Sequence, residues 1–262
     1  MALCFRFIPL ACILVYQITG ISFAAPIDFS QGAWTVSPSV VSQYVFRGVK
    51  FADASLQPSI EYTAGPVALG VWSNVALDHR EADAADPELD LYGSYIISTF
   101  SGALRVVPGF CLYTYPDTPR QSGLYSATFE PSLAAIFSAG GLQFTPKVYY
   151  DLTLRGATYE LTTAIALPLK RLGTELDFFL TAGSYKYRDA VKDSAPRVEK
   201  WGDYWTFGVS VPVQISIQSR LTFSLFHSEG INAFQKLGNL PKMRNAATGG
   251  HTGASLSYST SL

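Results

Sequence analysis

The sequence predicts an all-β fold, a transmembrane antiparallel up-and-down β-barrel of about twelve strands with short periplasmic turns and longer extracellular loops. Three observations support it: polar and apolar residues alternate along the chain, the alternating segments are long, and the connections alternate between short and long. Composition agrees with them. Of the 262 residues, 48% are hydrophobic and only 15% are charged, against roughly 25% charged residues in an ordinary soluble domain.

Composition also excludes several classes of protein. The high apolar content with a net charge of −1 argues against a disordered chain. No basic excess is available to neutralise phosphates, so we expect no nucleic-acid partner. After residue 25 no apolar run reaches the ~18 residues that a membrane-spanning helix needs, which argues against a multi-pass helical protein.

Residues 1–24 predict a cleaved secretory signal peptide, and residues 25–262 predict a single outer-membrane barrel domain. One charge, Arg6, precedes an apolar stretch over Phe7–Tyr16, and Ser22-Phe23-Ala24 supplies small residues at a cleavage site. An uncleaved anchor is the alternative, because the N-terminal apolar region is almost long enough to span a bilayer. We therefore expect an exported protein.

The clearest alternation runs from Trp205 to Ile217, where every second residue is apolar and the residues between are small or polar. A strand places successive side chains on opposite faces, so this segment has one apolar and one polar face. We count about twelve such segments, mostly of roughly 9–14 residues. Soluble strands usually run ~5–6 residues, while tilted bilayer-spanning strands need ~9–11. The segments are expected to start near Trp34, Leu56, Pro66, Glu88, Ala103, Leu124, Leu142, Gly156, Thr174, Tyr204, Gln218 and His251.

The connections between these segments alternate in length, as in outer-membrane barrels, where periplasmic turns are tight and extracellular loops are long. An even strand number then places both chain ends on the side of the short turns. Short connections fall at 64–66, 100–102, 138–141, 170–173 and around 216–219, with 154–156 as a short exception among the longer ones at 47–55, 78–87, 116–123, 186–203 and 229–250.

Aromatic residues gather beside the long connections, which predicts an outer aromatic girdle at the level of the lipid headgroups. Core packing in a β-sandwich is the alternative explanation for the same clusters. The residues are Tyr44, Phe46, Tyr113, Tyr115, Tyr125, Tyr149, Tyr150, Tyr159, Tyr185, Tyr187, Trp201, Tyr204 and Trp205.

Seven prolines fall within or at the ends of the expected strands, although proline cannot donate a hydrogen bond to a strand ladder. We expect these prolines to mark strand starts, bulges or bends of the barrel. They are Pro38, Pro58, Pro108, Pro131, Pro146, Pro168 and Pro212.

Four segments resemble the TorF-type porin family of predicted Gram-negative outer-membrane barrels: Ser42–Val49, Gln57–Tyr62, Gly70–Val75 and Glu88–Tyr95. The resemblance fades into a generic strand pattern after Tyr95. It implies an outer-membrane barrel and points to channel activity, without a known substrate. The candidate family-motif residues are Tyr44, Phe46, Arg47, Gly48, Trp72, Asn74 and Tyr92.

If the apolar face of each strand meets lipid, the polar residues between point into the lumen. A base on the lipid face at mid-bilayer costs ~2–4 kcal/mol and an acid somewhat less, so mid-strand charges are expected inside. Six acids and two bases form this set, which predicts a weak preference for cations; Arg47, Arg155 and Arg220 near strand ends offset part of it. The candidate lumen-lining residues are Glu61, Asp90, Arg105, Glu130, Lys147, Asp151, Glu160 and Asp177.

The expected function is that of a porin-like channel for passive diffusion of small solutes or ions across the outer membrane. A twelve-stranded barrel lies between the filled eight-stranded and the open sixteen-stranded cases. A barrel without an open pore, acting as a lipid-acting enzyme or as a structural or surface-interaction protein, is therefore the alternative. A secreted soluble β-sandwich or ligand-binding barrel is the third class. The long segment 229–250 is expected either to fold inward as a constriction or to remain an outer loop.

The sequence predicts no enzyme, and it predicts no catalytic, cofactor-binding or metal site. Only three histidines occur, and the neighbours His227 and Ser228 lie on opposite strand faces and cannot pair directly. The expected location is the cell outer membrane. The expected partners are outer-membrane lipid, small solutes or ions, and the barrel-assembly machinery, which would recognise the C-terminal strand although it ends in Leu262 rather than Phe. The sequence assigns no oligomeric state.

Overall fold

The computed structural model describes residues 29–80, 87–99, 102–117, 125–187, 201–231 and 249–262. The expected signal peptide, residues 1–24, lies outside these ranges. Apart from a short 3₁₀ turn at Phe29–Gln31, the regular structure of the described residues is β-strand. Among the same residues no helix is long and apolar enough to cross a membrane.

Seventeen strand segments are present in the described ranges. They are Ala33–Val36 (β1), Ser39–Val41 (β2), Tyr44–Phe46 (β3), Val49–Ala52 (β4), Ser55–Leu56 (β5), Ser59–Ala64 (β6), Val67–Ala76 (β7), Glu88–Tyr95 (β8), Ile97–Thr99 (β9), Leu104–Thr114 (β10), Ala127–Ala139 (β11), Leu142–Asp151 (β12), Gly156–Leu169 (β13), Thr174–Tyr187 (β14), Gly202–Gln214 (β15), Ser219–Ile231 (β16) and Gly250–Ser261 (β17).

These segments form a closed antiparallel barrel of twelve wall strands, which confirms the predicted fold. β1 and β2 make the first wall strand, β5 and β6 the second, and β8 and β9 the fourth, while each of β7 and β10–β17 makes one of the others. The barrel closes where the first wall strand pairs with β17, for example Thr35 with Ser261 and Val41 with Ser255. The two-sheet sandwich considered from the sequence is therefore wrong.

The strand starts agree with the sequence prediction to within two residues in the described ranges. Leu142, Gly156 and Thr174 begin strands as expected. Leu124 itself lies outside the described residues, and the strand expected there begins at Ala127, three residues later. The turns at 65–66, 140–141, 170–173 and 215–218 share one end of the barrel with the start of β1 and the end of β17. The connections of the opposite end are longer, with 152–155 as the expected short exception.

The wall is apolar outside and polar inside, the reverse of a soluble domain. Leu133 and Leu161 are 50% and 44% exposed, whereas Glu130 is only 1% exposed. Alternation along the strands sorts the residues in this way, because successive side chains point to opposite faces of the wall; charged and hydroxyl side chains face inward, together with a smaller set of apolar and aromatic ones. Such an exterior suits lipid, not water.

The prolines affect the wall in two ways. Pro38 and Pro58 interrupt the first two wall strands, but their carbonyls still accept hydrogen bonds from Tyr258 (3.0 Å) and Ser73 (3.0 Å). The other five lie inside β10–β13 and β15 rather than at strand starts. The β11–β12 ladder omits the pairs of Pro146 and of its neighbour Thr145, as expected from the missing N–H of proline.

Inward aromatic rings lie flat on glycines of neighbouring strands, where a side chain would collide with the ring. This packing pins the rings against the wall and leaves the centre of the barrel for other groups. The pairs are Tyr92 over Gly70, Tyr204 over Gly183, Phe179 over Gly208 and Phe226 over Gly253.

Candidate functional site

A β-hairpin between the first two wall strands, formed by β3 and β4 and here termed the lumenal hairpin (Tyr44–Ala52), folds into the barrel. Its strands pair only with each other, in a separate two-stranded sheet. Arg47 (φ 50°) and Gly48 (φ 76°) form its turn. A positive φ at both central residues is the requirement of the tightest hairpin turns.

The sequence prediction of a plain long connection over 47–55 is therefore wrong. The missed signal is local: two alternating segments separated by a two-residue turn that contains Gly48 are typical of a hairpin.

The base of the lumenal hairpin packs against the wall formed by β7, β8 and β10. The Tyr44 hydroxyl donates a 2.7 Å hydrogen bond to Oε2 of Glu88, and the Tyr44 ring lies 5.7 Å from the Trp72 ring. Tyr44, Ala52 and Trp72 belong to one buried cluster with Tyr92, Cys111 and Tyr113. The hairpin thus covers the only cysteine of residues 25–262.

The tip of the lumenal hairpin lies against β15 and β16. A Cβ atom placed on Gly48 would lie 2.6 Å from Cα of Gly230 and 2.8 Å from Cβ of Tyr204. These two residues belong to β15 and β16, which are three and two strands from the first wall strand around the closed barrel. The neighbouring Arg47 reaches Glu130 on β11, five wall strands from the first on the other side. The hairpin therefore crosses the lumen.

A buried ion pair joins the hairpin tip to the wall. Nη1 and Nη2 of Arg47 donate to Oε1 and Oε2 of Glu130, each at 2.8 Å, and the two side chains are 6% and 1% exposed. The guanidinium also lies 4.7 Å from the ring centres of both Phe46 and Tyr149, and Tyr113 donates to Oε2 of Glu130 at 3.0 Å. Bidentate pairing with ring stacking fixes both the position and the orientation of Arg47.

A second carboxylate lies next to this pair. Glu160 accepts hydrogen bonds from Tyr149 (3.1 Å) and Tyr204 (2.6 Å). Lys147 stands opposite Glu160 in the β12–β13 register, with its Nζ 4.4 Å from the centre of the Tyr149 ring. The acids Glu130 and Glu160 and the bases Arg47 and Lys147 thus lie together in one part of the lumen.

Below the lumenal hairpin lies a cavity of about 190 Å³. One side of it is apolar, with Val107, Ala134 and Ile136. The other side carries a row of hydroxyls that stand opposite one another on five successive strands. Within this row the hydroxyls of Thr162 and Thr181 lie 2.8 Å apart, and those of Thr206 and Ser228 lie 2.7 Å apart. The row is Thr145, Thr162, Thr181, Thr206 and Ser228.

The structure places the eight candidate lumen residues at different depths and in different surroundings. Glu130, Lys147 and Glu160 line the cavity together. Glu61 and Asp90 are buried in other wall strands, where Glu61 accepts a hydrogen bond from Tyr92.

The remaining three candidates do not contact the hairpin pair directly. Asp151 accepts from the backbone N–H groups of Thr153 (2.8 Å) and Leu154 (2.6 Å), so it stabilises a turn. Arg105 and Asp177 lie toward the short-turn end of the barrel.

The candidate family-motif residues come together around the lumenal hairpin. Tyr44, Phe46, Arg47 and Gly48 belong to the hairpin itself, and Trp72 and Tyr92 lie in the cluster on which it packs. Asn74 is two residues from Trp72 and accepts a 3.0 Å hydrogen bond from Gln57, which links two wall strands.

The predicted aromatic girdle is wrong for about half of its members. Tyr150, Tyr159 and Trp201 are exposed, at 46%, 53% and 41%. Phe46 and Tyr149 instead line the cavity, and the remaining inward rings are buried. Neighbouring strand residues point to opposite faces, so pairs such as Tyr149 and Tyr150 cannot both face lipid. The buried rings are Tyr44, Tyr113, Tyr185 and Tyr204.

Other sequence candidates contribute less. Residues 232–248 lie outside the described residues, so the expected inward folding of 229–250 does too. His227 and Ser228 contact different partners, Thr252 at 2.8 Å and Thr206 at 2.7 Å. In the part of the chain that the structure describes, no group of three or more His, Cys, Asp or Glu side chains could hold a metal ion.

The barrel is similar to several solved outer-membrane proteins. An outer membrane channel from Pseudomonas putida F1 matches with a TM-score of 0.54 and 10% identity, over 94% of this chain and all of that chain (100%). The NanC porin matches with a TM-score of 0.52 and 11% identity, over 88% and 100% of the two chains. The KdgM porin matches with a TM-score of 0.51 and 11% identity, over 87% and 99%. At such identities the similarity shows the fold alone.

Comparison at the sequence level gives the family. No curated protein matches the chain. A family model described as a bacterial protein of unknown function (Gcw_chp) matches residues 26–209, which include the lumenal hairpin and the strands that carry Glu130 and Glu160. The chain belongs to this Gcw_chp family.

Proposed function

We propose that the protein is a porin-like channel for passive diffusion of small solutes or ions across the outer membrane. The observation that carries this proposal is the closed twelve-stranded wall, apolar outside, around a cavity lined by hydroxyl and charged groups. Polar lining provides the hydrogen bonds that a hydrated solute loses on entering a narrow passage. The solved structures of similar fold include porins and an outer membrane channel, and the TorF-type resemblance points the same way.

The outer membrane is the location that this proposal requires. Residues 1–24 would direct export as a cleaved signal peptide, outer-membrane lipid would cover the apolar exterior, and the barrel-assembly machinery would recognise Gly250–Ser261. The last strand keeps its outward apolar register, with Leu256 43% exposed and Tyr258 38% exposed.

Lumenal charge supports a weak preference for cations. The candidate lumen set holds six acids and two bases. Arg47 and Arg220 reduce the negative excess but do not cancel it, since Arg47 neutralises Glu130 alone. Charges that line a narrow passage act on ions at close range and so determine selectivity.

A barrel without an open pore is the second candidate, and the lumenal hairpin favours it. The hairpin crosses the lumen and its tip is held by a buried ion pair. If this arrangement blocks passage at all times, the polar interior stabilises the barrel and function lies at its outer surface.

Osmotic swelling of proteoliposomes tests the proposal. The refolded protein is placed in vesicles, and neutral polyols and sugars of increasing size are added outside. A channel predicts swelling rates that fall steeply with solute size, and vesicles carrying heat-unfolded protein provide the control. Absence of swelling with every solute, from protein that shows heat-modifiable gel migration, would favour the barrel without an open pore.

A further inference from the structure

The lumenal hairpin depends on side-chain contacts for its position. Every wall strand is held by ladders to two neighbours, but β3 and β4 pair only with each other. At the base of the hairpin, Ala52 forms an isolated bridge with Arg80, which lies in the connection after β7. The Lys50–Asp53 ion pair lies within the same connection and does not reach the opposite wall. Tyr44 and its buried cluster hold the base against the wall, so the contacts of Arg47 and Gly48 decide whether the tip stays across the lumen.

We propose that Arg47 and Glu130 set the size limit of the channel, because their ion pair holds the lumenal hairpin across the lumen and can be released. This inference rests on the proposed channel function. With the pair formed, the tip occupies the space between β11 and β15–β16. With the pair broken, the hairpin can leave and the cavity below it joins the opening at the long-connection end.

The depth of the ion pair supports this role. Glu130 is the fourth residue of β11, so it lies about 10 Å along the strand from the long-connection end at the usual rise per residue. Arg47 is thus drawn well inside the barrel. Its side chain is also flanked by two rings and its partner is oriented by Tyr113. Such an arrangement narrows the passage at one defined level.

The burial of both charges makes the docked position of the hairpin depend on the ion pair. Both charged groups are removed from water, so removal of either partner leaves the other buried and uncompensated. The docked hairpin is therefore stable with both partners present and unstable with one.

The main test compares two substitutions that remove the same charge. Glu130→Gln breaks the bidentate pair. Glu229→Gln is the matched control: it follows Ser228, which lines the cavity, so Glu229 faces outward at the same end of the barrel. Single-channel conductance in planar bilayers is expected to rise at least twofold in Glu130→Gln, with a larger swelling cut-off, and to stay at the wild-type value in Glu229→Gln.

Two further variants keep the test decisive if Glu130→Gln folds poorly. Arg47→Lys keeps the charge but loses the second hydrogen bond and the ring stacking, so it is expected to give an intermediate conductance. In Arg47→Gln/Glu130→Gln no charge is left unpaired, so this double variant is expected to lie closer to wild type than Glu130→Gln does. Equal conductance in all of these variants would overturn the proposal.

Cys111 gives a readout that needs no channel activity. It is 6% exposed and lies in the cluster beneath the hairpin. Because Glu130 is the cross-strand partner of Cys111, the labelling test breaks the pair from the hairpin side. A water-soluble thiol reagent is expected to label Cys111 at least tenfold faster in Arg47→Gln than in wild type, and no faster in Glu229→Gln. Faster labelling without conductance in any variant would retain the releasable hairpin but refute the channel. Wild-type conductance with equal labelling in both variants would retain the channel and refute the role of the pair.

Discussion

Gly48 is the residue at which the lumenal hairpin can be perturbed most selectively. A Cβ atom there would lie 2.6 Å from Cα of Gly230 and 2.8 Å from Cβ of Tyr204, and neither atom can move without moving the wall. Gly48→Ala therefore adds an overpacking cost of ~1–3 kcal/mol. The φ of 76° adds a left-handed backbone cost of ~1–2 kcal/mol.

The two costs act on different states of the hairpin. The steric cost exists only when the tip touches β15 and β16, whereas the backbone cost applies wherever the turn is formed. The steric cost alone should raise the population of undocked hairpin about 5- to 140-fold, since each 1.4 kcal/mol is a factor of ten. We expect the labelling rate of Cys111 by a water-soluble thiol reagent to rise by this factor, while heat-modifiable migration shows an intact barrel.

Gly65→Ala is the control for this experiment. Gly65 also has a positive φ, 55°, but no atom lies within 4 Å of its Cβ position. This variant bears a backbone cost in a short turn and no steric cost, so the labelling rate of Cys111 should not change. Equal labelling rates in the two variants would refute the contact of the hairpin tip with β15 and β16.

Three other predictions concern the wall and the interior. Leu161→Lys, on the outer face of β13, should lower the free energy of unfolding by ~2–4 kcal/mol if the residue lies at mid-bilayer. Urea titration of the protein in lipid vesicles measures this loss. An equal loss in Leu172→Lys, in an exposed turn, would argue against a lipid-facing wall. Tyr204→Phe removes the 2.6 Å hydrogen bond to Glu160 and should lower the free energy of unfolding by ~1.5–3 kcal/mol in the same titration. The control Tyr159→Phe, at an exposed position, should leave it almost unchanged. Equal effects of the two substitutions would show that the Tyr204–Glu160 bond is unimportant for stability. In a Cys111→Ser background, a membrane-impermeant thiol reagent should label Glu130→Cys and spare Phe129→Cys. The reason is that position 130 faces the lumen and position 129 faces lipid. The reverse order of labelling would invert the assignment of the two faces.

The wall of the barrel could be predicted from the sequence because its determinants are local. In β15, alternation of Phe207, Val209 and Val211 with small or polar residues already assigns the two faces of the strand. Strand length and the alternating connections then favour a barrel that crosses a membrane. The starts at Gly156 and Thr174 follow from the same pattern.

The interior could be predicted only in part, because it depends on contacts that are distant in sequence. Arg47 and Glu130 are 83 residues apart, and neither the spacing nor the composition indicates that they pair. The hairpin signal at Arg47-Gly48 was present, but it does not say whether the hairpin points outward or into the lumen. The position of Tyr149 and Tyr204 near strand ends predicts the girdle, and only their hydrogen bonds show that they face Glu160.

Planar-bilayer conductance of the refolded protein, with folding verified on the same sample by heat-modifiable gel migration, tests the central claim most directly. We predict stepwise, reproducible conductance, with a reversal potential under a salt gradient that shows a weak preference for cations. Electrical silence from a folded barrel would contradict the channel and would assign the polar interior to stabilisation of a closed barrel.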